Sequence, residues 1–76
     1  MILLIEYDRA TARTLQFLTY EDAERGKAED RRLQMELDLN RRGLLMQHEV
    51  VLLRAESEEA LRRTHERYFK HLPQPA

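Results

Sequence analysis

Two short runs that are apolar at every position, residues 2–5 and 50–53, constrain the fold of this chain most strongly. Uninterrupted apolar runs of this length are typical of strands that are covered on both faces. The chain has only 76 residues, however, which is enough for one domain. A domain of this size buries only about 60% of its unfolded surface. We therefore expect a single domain over residues 1–72 and a disordered tail over residues 73–76.

Three segments of the sequence predict strands. Residues 2–7 and 14–19 are rich in strand formers and flank a turn that Asp8 can begin through its side chain, which predicts a β-hairpin. This turn has no glycine at a position where a left-handed residue would be convenient. Residues 48–54 form the third predicted strand, and its middle residues are apolar toward both faces.

Two segments predict helices. Residues 20–42 contain no proline, follow Thr19 as a cap residue and end before Gly43, which can adopt the left-handed conformation that stops a helix. Residues 58–71 follow Ser57, another favourable cap residue, and begin with acidic residues. The order of elements is therefore ββαβα. We expect an α+β fold with a small, antiparallel-containing sheet of about three strands and two helices on one face.

One part of the first helix has a second interpretation. Within residues 33–39, Leu or Met alternates strictly with Gln, Glu or Asp, which is the period of a strand. None of these residues is β-branched or aromatic, and the apolar ones are good helix formers. Helix is favoured over residues 32–39, and a strand followed by a hairpin loop remains the alternative.

The charge and the cysteine count exclude several classes of protein. The chain has 13 basic and 14 acidic residues, a net charge of −1, and therefore lacks the global field of a dedicated nucleic-acid binder. It has no cysteine, so a disulfide framework is excluded. The first apolar run stops at Glu6, which fits neither a signal peptide nor a membrane span. We expect a cytoplasmic protein that does not associate with membranes.

The apolar residues exceed what one small domain covers easily, which predicts a homodimer. If residues 28–46 are helical, one stripe contains Ala28, Met35, Leu39 and Met46, and the opposite stripe contains Leu33, Leu37 and Leu44. One stripe can pack on the sheet, whereas the other stripe and the second face of the sheet need a partner. The predicted dimer interface consists of Leu3, Ile5, Val51, Leu53, Leu33 and Leu37.

No catalytic, cofactor-binding or metal-binding motif is recognisable. His48, His65 and His71 do not have a metal-ligand spacing, and the adjacent residues 64–66 would point about 100° apart on a helix, which rules out a catalytic relay. The two glycines both lie in a helical context, so no phosphate-binding loop is expected. We therefore predict a protein that is not an enzyme and has no cofactor.

The leading functional prediction is a small non-catalytic homodimeric module that interacts with a protein partner or serves as an accessory subunit. The alternative is a nucleic-acid-associated regulator that uses the basic face of the last helix. That face contains Arg62, Arg63, Arg67 and Lys70. Because the basic and the aromatic side chains of this helix would point in different directions, nucleic acid is the less favoured partner.

Overall fold

The computed structural model of the protein describes residues 1–64 and 66–68 and has an α+β fold. Three strands form one antiparallel sheet: β1 (Ile2–Asp8), β2 (Arg13–Tyr20) and β3 (His48–Arg54). One long helix, α1 (Arg25–Arg41), connects β2 to β3. The prediction of a three-stranded α+β domain is confirmed in this respect. The predicted disordered tail, residues 73–76, lies outside the described residues.

The first apolar run occupies the centre of the sheet, because the strand order is β2-β1-β3. Every residue of β1 is buried, as expected for a strand that has a neighbour on each edge and material on each face. Its side chains alternate between two faces. We call the face with Ile2, Leu4, Glu6 and Asp8 the helix face, and the face with Leu3, Ile5 and Tyr7 the tyrosine face.

The hairpin between β1 and β2 is built around Asp8, as predicted. The two oxygens of its carboxylate accept hydrogen bonds from the Ala10 amide and the Thr11 hydroxyl, each at 2.9 Å. Ala12 supplies the left-handed residue of this turn with a φ of 57°, so alanine stands where glycine would be strain-free. A bulge in the β1–β2 pairing follows, with Leu15 as the extra residue of β2.

Helix α1 begins later than predicted. Thr19 belongs to β2 rather than to a cap, and a 3₁₀ turn over Asp22–Glu24 precedes the helix. The Glu24 carboxylate accepts a hydrogen bond from the Glu21 amide at 3.1 Å, so this pair forms the cap. At the other end, Gly43 has a φ of 71° and acts as the predicted left-handed stop.

Residues 32–39 are helical, so the strand alternative for this segment is wrong. The inner stripe of α1 (Ala28, Met35 and Leu39) is buried, whereas Leu33 and Leu37 are 56% and 54% exposed. The predicted division into two opposite stripes is therefore confirmed within the helix. Met46 does not join the inner stripe, because α1 ends at Arg41, and its side chain is 88% exposed.

After β3 the chain forms a short helical segment, Glu58–Thr64, and a 3₁₀ turn, Glu66–Tyr68. The Ser57 hydroxyl accepts a hydrogen bond from the Ala60 amide at 3.1 Å, which confirms Ser57 as the cap. In the rest of the predicted helix over residues 58–71, residues 66–68 form this 3₁₀ turn, and residues 65 and 69–71 lie outside the described residues. The placement of two helices on one face is not confirmed, because Tyr68 packs on the tyrosine face, opposite α1.

Candidate interaction surfaces and a buried polar cluster

A buried polar cluster interrupts the otherwise apolar helix face. Glu6 is 7% and His48 9% exposed, and the Nδ1 atom of His48 lies 2.7 Å from Oε2 of Glu6. The amide of Gln16 donates to Oε1 of Glu6 at 3.0 Å. Glu6 and His48 come from neighbouring strands and are two pairing positions apart, because Glu6 pairs with Val50 and His48 with Asp8, so their side chains lie diagonally on the same face. The cluster satisfies both oxygens of a buried carboxylate.

Glu6 also lines a half-open cleft of about 170 Å³ between the sheet and α1. The lining side chains are Glu6, Gln16, Arg31, Gln34, Met35, Asp38, Leu39 and Arg42. Asp38 and Arg42 form an ion pair at 3.3 Å across one end of this cleft. Acidic and basic groups are equal in number here, which leaves no charge preference for a ligand. Among the described residues, no group of three or more metal-ligating side chains is arranged around an ion site.

Asp8 extends the polar end of the helix face. Burial raises the pKa of this carboxyl, but hydrogen bonds from Thr11, Ala10 and Gln47, with the nearby His48, outweigh it. The pKa of Asp8 is therefore held below its ordinary value of 3.8. The ionised form of Asp8 thus stabilises both the turn and the contact between Gln47 and the hairpin.

Tyr68 covers the tyrosine face. It is only 3% exposed, and its ring meets that of Tyr7 edge-on, with centroids 5.4 Å apart. Its hydroxyl donates to Glu49 at 2.9 Å, and its backbone carbonyl accepts from the Thr14 hydroxyl at 2.6 Å. Tyr68 is thus held by all three strands of the sheet, through its side chain by β1 and β3 and through its backbone by β2. Its hydrogen-bond partners Glu49 and Thr14 lie 19 and 54 positions away in the chain, and Tyr7 lies farther still, so these contacts cannot be inferred from local patterns.

The structure separates the residues of the predicted dimer interface. Leu3 and Ile5 have no exposed surface in the single chain, because the cluster that includes Tyr68 covers them. Their side chains therefore offer nothing to a second copy. Val51 and Leu53 pack against the same cluster but are only partly buried. Whether these residues meet a partner stays a prediction.

Leu33 and Leu37 form an exposed apolar patch on α1. They lie one turn apart, and the buried stripe is on the opposite side of the helix. Two leucines at this spacing leave apolar area exposed to solvent on an otherwise charged helix surface. Of the two predicted sources of surplus apolar surface, this one remains exposed in the described part of the chain.

Strand β3 has a free edge, with which no other strand of the described residues pairs and which the sequence did not reveal. The Arg9 amide donates to the Gln47 carbonyl at 2.9 Å, and the Ala55 amide donates to the Met1 carbonyl at 3.0 Å. Hydrogen-bonded pairs alternate along an antiparallel ladder. Between Gln47 and Ala55, the backbone amide and carbonyl groups of the odd-numbered residues therefore point toward β1. The amide and carbonyl groups of Val50, Leu52 and Arg54 therefore point away from the sheet. No described backbone group pairs with these three.

The flank of α1 that lies above this edge is charged with alternating sign. Arg25 shares a small cavity with Leu52, Leu53 and Arg54, which places this flank on the β3 side. The row continues along the helix as Arg25, Glu29, Arg32 and Glu36. Arg25 pairs with Glu29 at 3.1 Å, and Arg32 with Glu36 at 3.6 Å.

The residues of the alternative nucleic-acid face are described only in part. Arg62 and Arg63 are exposed on the helical segment after β3. The Arg63 guanidinium forms an ion pair with Glu59 at 2.9 Å, which reduces its availability for a phosphate. The side chain of Arg67 and all of Lys70 lie outside the described residues. The predicted basic face stays a prediction.

In the part of the chain that the structure describes, no helix combines the length and the apolar character needed to cross a bilayer. No family model, curated protein or solved structure matches the chain.

Proposed function

We propose that this protein is a small homodimeric, non-catalytic module that interacts with proteins or serves as an accessory subunit. In this proposal the domain has the order ββαβα over residues 1–72. The observation that carries it is the apolar patch of Leu33 and Leu37, which are 56% and 54% exposed on an otherwise polar helix surface. Exposed apolar residues that lie adjacent on one surface mark interaction sites more often than isolated ones do.

The composition of the patch favours a protein over a small molecule as the partner. The neighbours of Leu33 and Leu37 on the outer face of α1 are polar or charged, so the patch is a small apolar centre with a polar rim. This is the usual composition of a protein interface. A homodimer is the simplest assembly of this chain, because two-fold symmetry uses one surface twice. The patch then remains available to a protein partner.

The test is the mass of the protein in solution. Sedimentation equilibrium of the full chain at about 1–100 μM is expected to give about twice the chain mass of 9.2 kDa, with dissociation on dilution. A mass of one chain over the whole range would refute the homodimer. The dimer must also form without nucleic acid. The sample is therefore first treated with nuclease, and the removal of nucleic acid is checked by ultraviolet absorbance.

A further inference from the structure

Resting on the self-association proposed above, we propose that the second copy joins at the free edge of β3. Two three-stranded sheets then become one continuous antiparallel sheet across a two-fold axis. The same contact brings the α1 helices of the two copies side by side on the helix face. The partner is a second copy of this chain, and the binding groups are the outward backbone groups of β3 together with the charged flank of α1.

The edge of β3 can pair with itself in one register that uses all three outward-facing residues. With Leu52 on the axis, it faces Leu52 of the partner subunit, while Val50 and Arg54 face Arg54 and Val50 of the partner subunit. Each of these is a hydrogen-bonded type of pair, so the edge forms about six backbone hydrogen bonds. On the tyrosine face the same register places Val51 beside Leu53 of the partner subunit, which joins the half-buried apolar residues of both copies.

The free edge of β3 also lacks the features that prevent strand pairing. Edge strands are commonly blocked by proline, lysine or a bulge. Residues 48–54 contain neither proline nor lysine, and their pairing with β1 runs without a register shift. By contrast, β2 carries a bulge at Leu15. The middle of β3, residues 50–53, is uncharged and β-branched or leucine, which suits a strand that is paired on both edges.

The position of α1 fits the same arrangement. Helix α1 contacts β3 and β1, so it lies above these two strands. Neighbouring strands are about 4.8 Å apart, and a helix between β1 and β3 is therefore roughly 5 Å from the proposed axis. The α1 helices of the two copies would then be roughly 10 Å apart, close to the spacing of packed helices.

The charged flank of α1 is complementary to the same flank of a second copy that runs antiparallel to it. A two-fold axis near the middle of the row places Glu29 opposite Arg32 of the partner subunit and Arg25 opposite Glu36 of the partner subunit. Helix α1 starts beside the Arg54 end of β3 and ends near the Glu6 cleft, so the middle of the row lies near the level of Leu52. The strand register and the charge row thus require one and the same axis.

The first experiment exchanges charges on this flank. Glu29→Arg places like charges opposite each other, and so does Arg32→Glu, so each single variant is expected to dimerise about tenfold more weakly. An equimolar mixture of the two is expected to form a heterodimer with the lost affinity restored, since opposite charges then face each other. Asp30→Arg is the matched control, because it makes the same charge change at the next position on the outer face of the helix.

The second experiment blocks the edge itself. The chain is short enough for chemical synthesis, and N-methylation of Leu52 removes the amide on the axis without changing a side chain. This change is expected to raise the dissociation constant at least about thirtyfold. N-methyl-Thr19, which has its amide on the outer edge of β2, is the control and is expected to dimerise normally. Circular dichroism confirms that both synthetic chains are folded.

A third measurement needs no variant. The amides of Val50, Leu52 and Arg54 are expected to exchange with deuterium slowly at concentrations where the dimer dominates and quickly after dilution, whereas the Thr19 amide exchanges quickly throughout. A dimer whose mass is unaffected by N-methyl-Leu52 and by both charge reversals would overturn the β3 edge and leave the proposed function standing. A wild-type protein that stays monomeric overturns both.

Discussion

The contact between Glu6 and His48 gives a quantitative prediction about the stability of the domain. Each side chain is 9% exposed, and the two are joined by a hydrogen bond of 2.7 Å beneath α1. Replacing Glu6 by leucine removes the acceptor of both His48 and Gln16. We expect this change to cost about 3 kcal/mol, because it leaves buried donors without a partner.

Replacing His48 by leucine is expected to cost about 2 kcal/mol, which is less, because Glu6 keeps the hydrogen bond from Gln16 and borders the open cleft. The double variant leaves neither member of the pair unsatisfied. Its cost is expected to be about 2–3 kcal/mol, well below the sum of the two single changes, and the coupling energy is then also about 2–3 kcal/mol.

The measurement is urea unfolding at pH 7, followed by circular dichroism, of the wild type and the three variants. All four are compared at one protein concentration, since self-association adds to the apparent stability. Additivity of the two single changes within about 0.5 kcal/mol would refute the reasoning, because it would mean that Glu6 and His48 do not depend on each other in the folded protein.

Five further substitutions, in three groups, have defined outcomes. Ala12→Gly is expected to raise the free energy of unfolding by about 0.5–1 kcal/mol, because Ala12 has a φ of 57°. Gly43→Ala is expected to lower it by about 1 kcal/mol, because Gly43 has a φ of 71°. Urea titrations that gave changes in the opposite directions would contradict this. Asp8 has a lowered pKa in the folded state, so its contribution is complete above its ordinary pKa of 3.8 and is lost as the pH falls through the folded value. The difference in melting temperature between wild type and Asp8→Asn is therefore expected to shrink on acidification below pH 3.8, and a constant difference would be the adverse result. Tyr68→Phe removes the 2.9 Å hydrogen bond to Glu49 and is expected to lower the free energy of unfolding by about 1 kcal/mol. Tyr68→Ala empties the site beside Tyr7 and is expected to lower it by about 3–5 kcal/mol. Equal losses of stability in the two variants would show that the ring contributes nothing.

Local chemistry was sufficient to predict the individual elements. The turn at Asp8, the stop at Gly43 and the cap at Ser57 depend on hydrogen bonds between residues at most a few positions apart. The two stripes of α1 follow from the helical period alone. The start of α1 was misplaced because Thr19 has both a cap-forming hydroxyl and a high strand propensity, and pairing with Leu3 decides between them.

The contacts between distant segments could not be predicted in the same way. The pairing of Glu6 with His48 depends on β1 being central, and nothing in residues 2–8 alone distinguishes a central strand from an edge strand. The coverage of Leu3 and Ile5 depends on Tyr68, which comes from the far end of the described chain. The free edge of β3 follows from the same strand order. The polar cluster, the coverage of Leu3 and Ile5 and the free edge of β3 are thus properties of the topology, unlike the patch of Leu33 and Leu37.

The central position of β1 has a consequence for how the chain folds during synthesis. The hairpin of β1 and β2 forms between neighbouring segments, but the residues of β3 come about 40 to 50 positions after their partners in β1 and fill the other edge only when they have been made. Until then the nascent chain presents the unpaired side of its most apolar strand, and Glu6 has no histidine beside it. A truncated translation product that ends within α1 is therefore expected to be a target for chaperones and proteases.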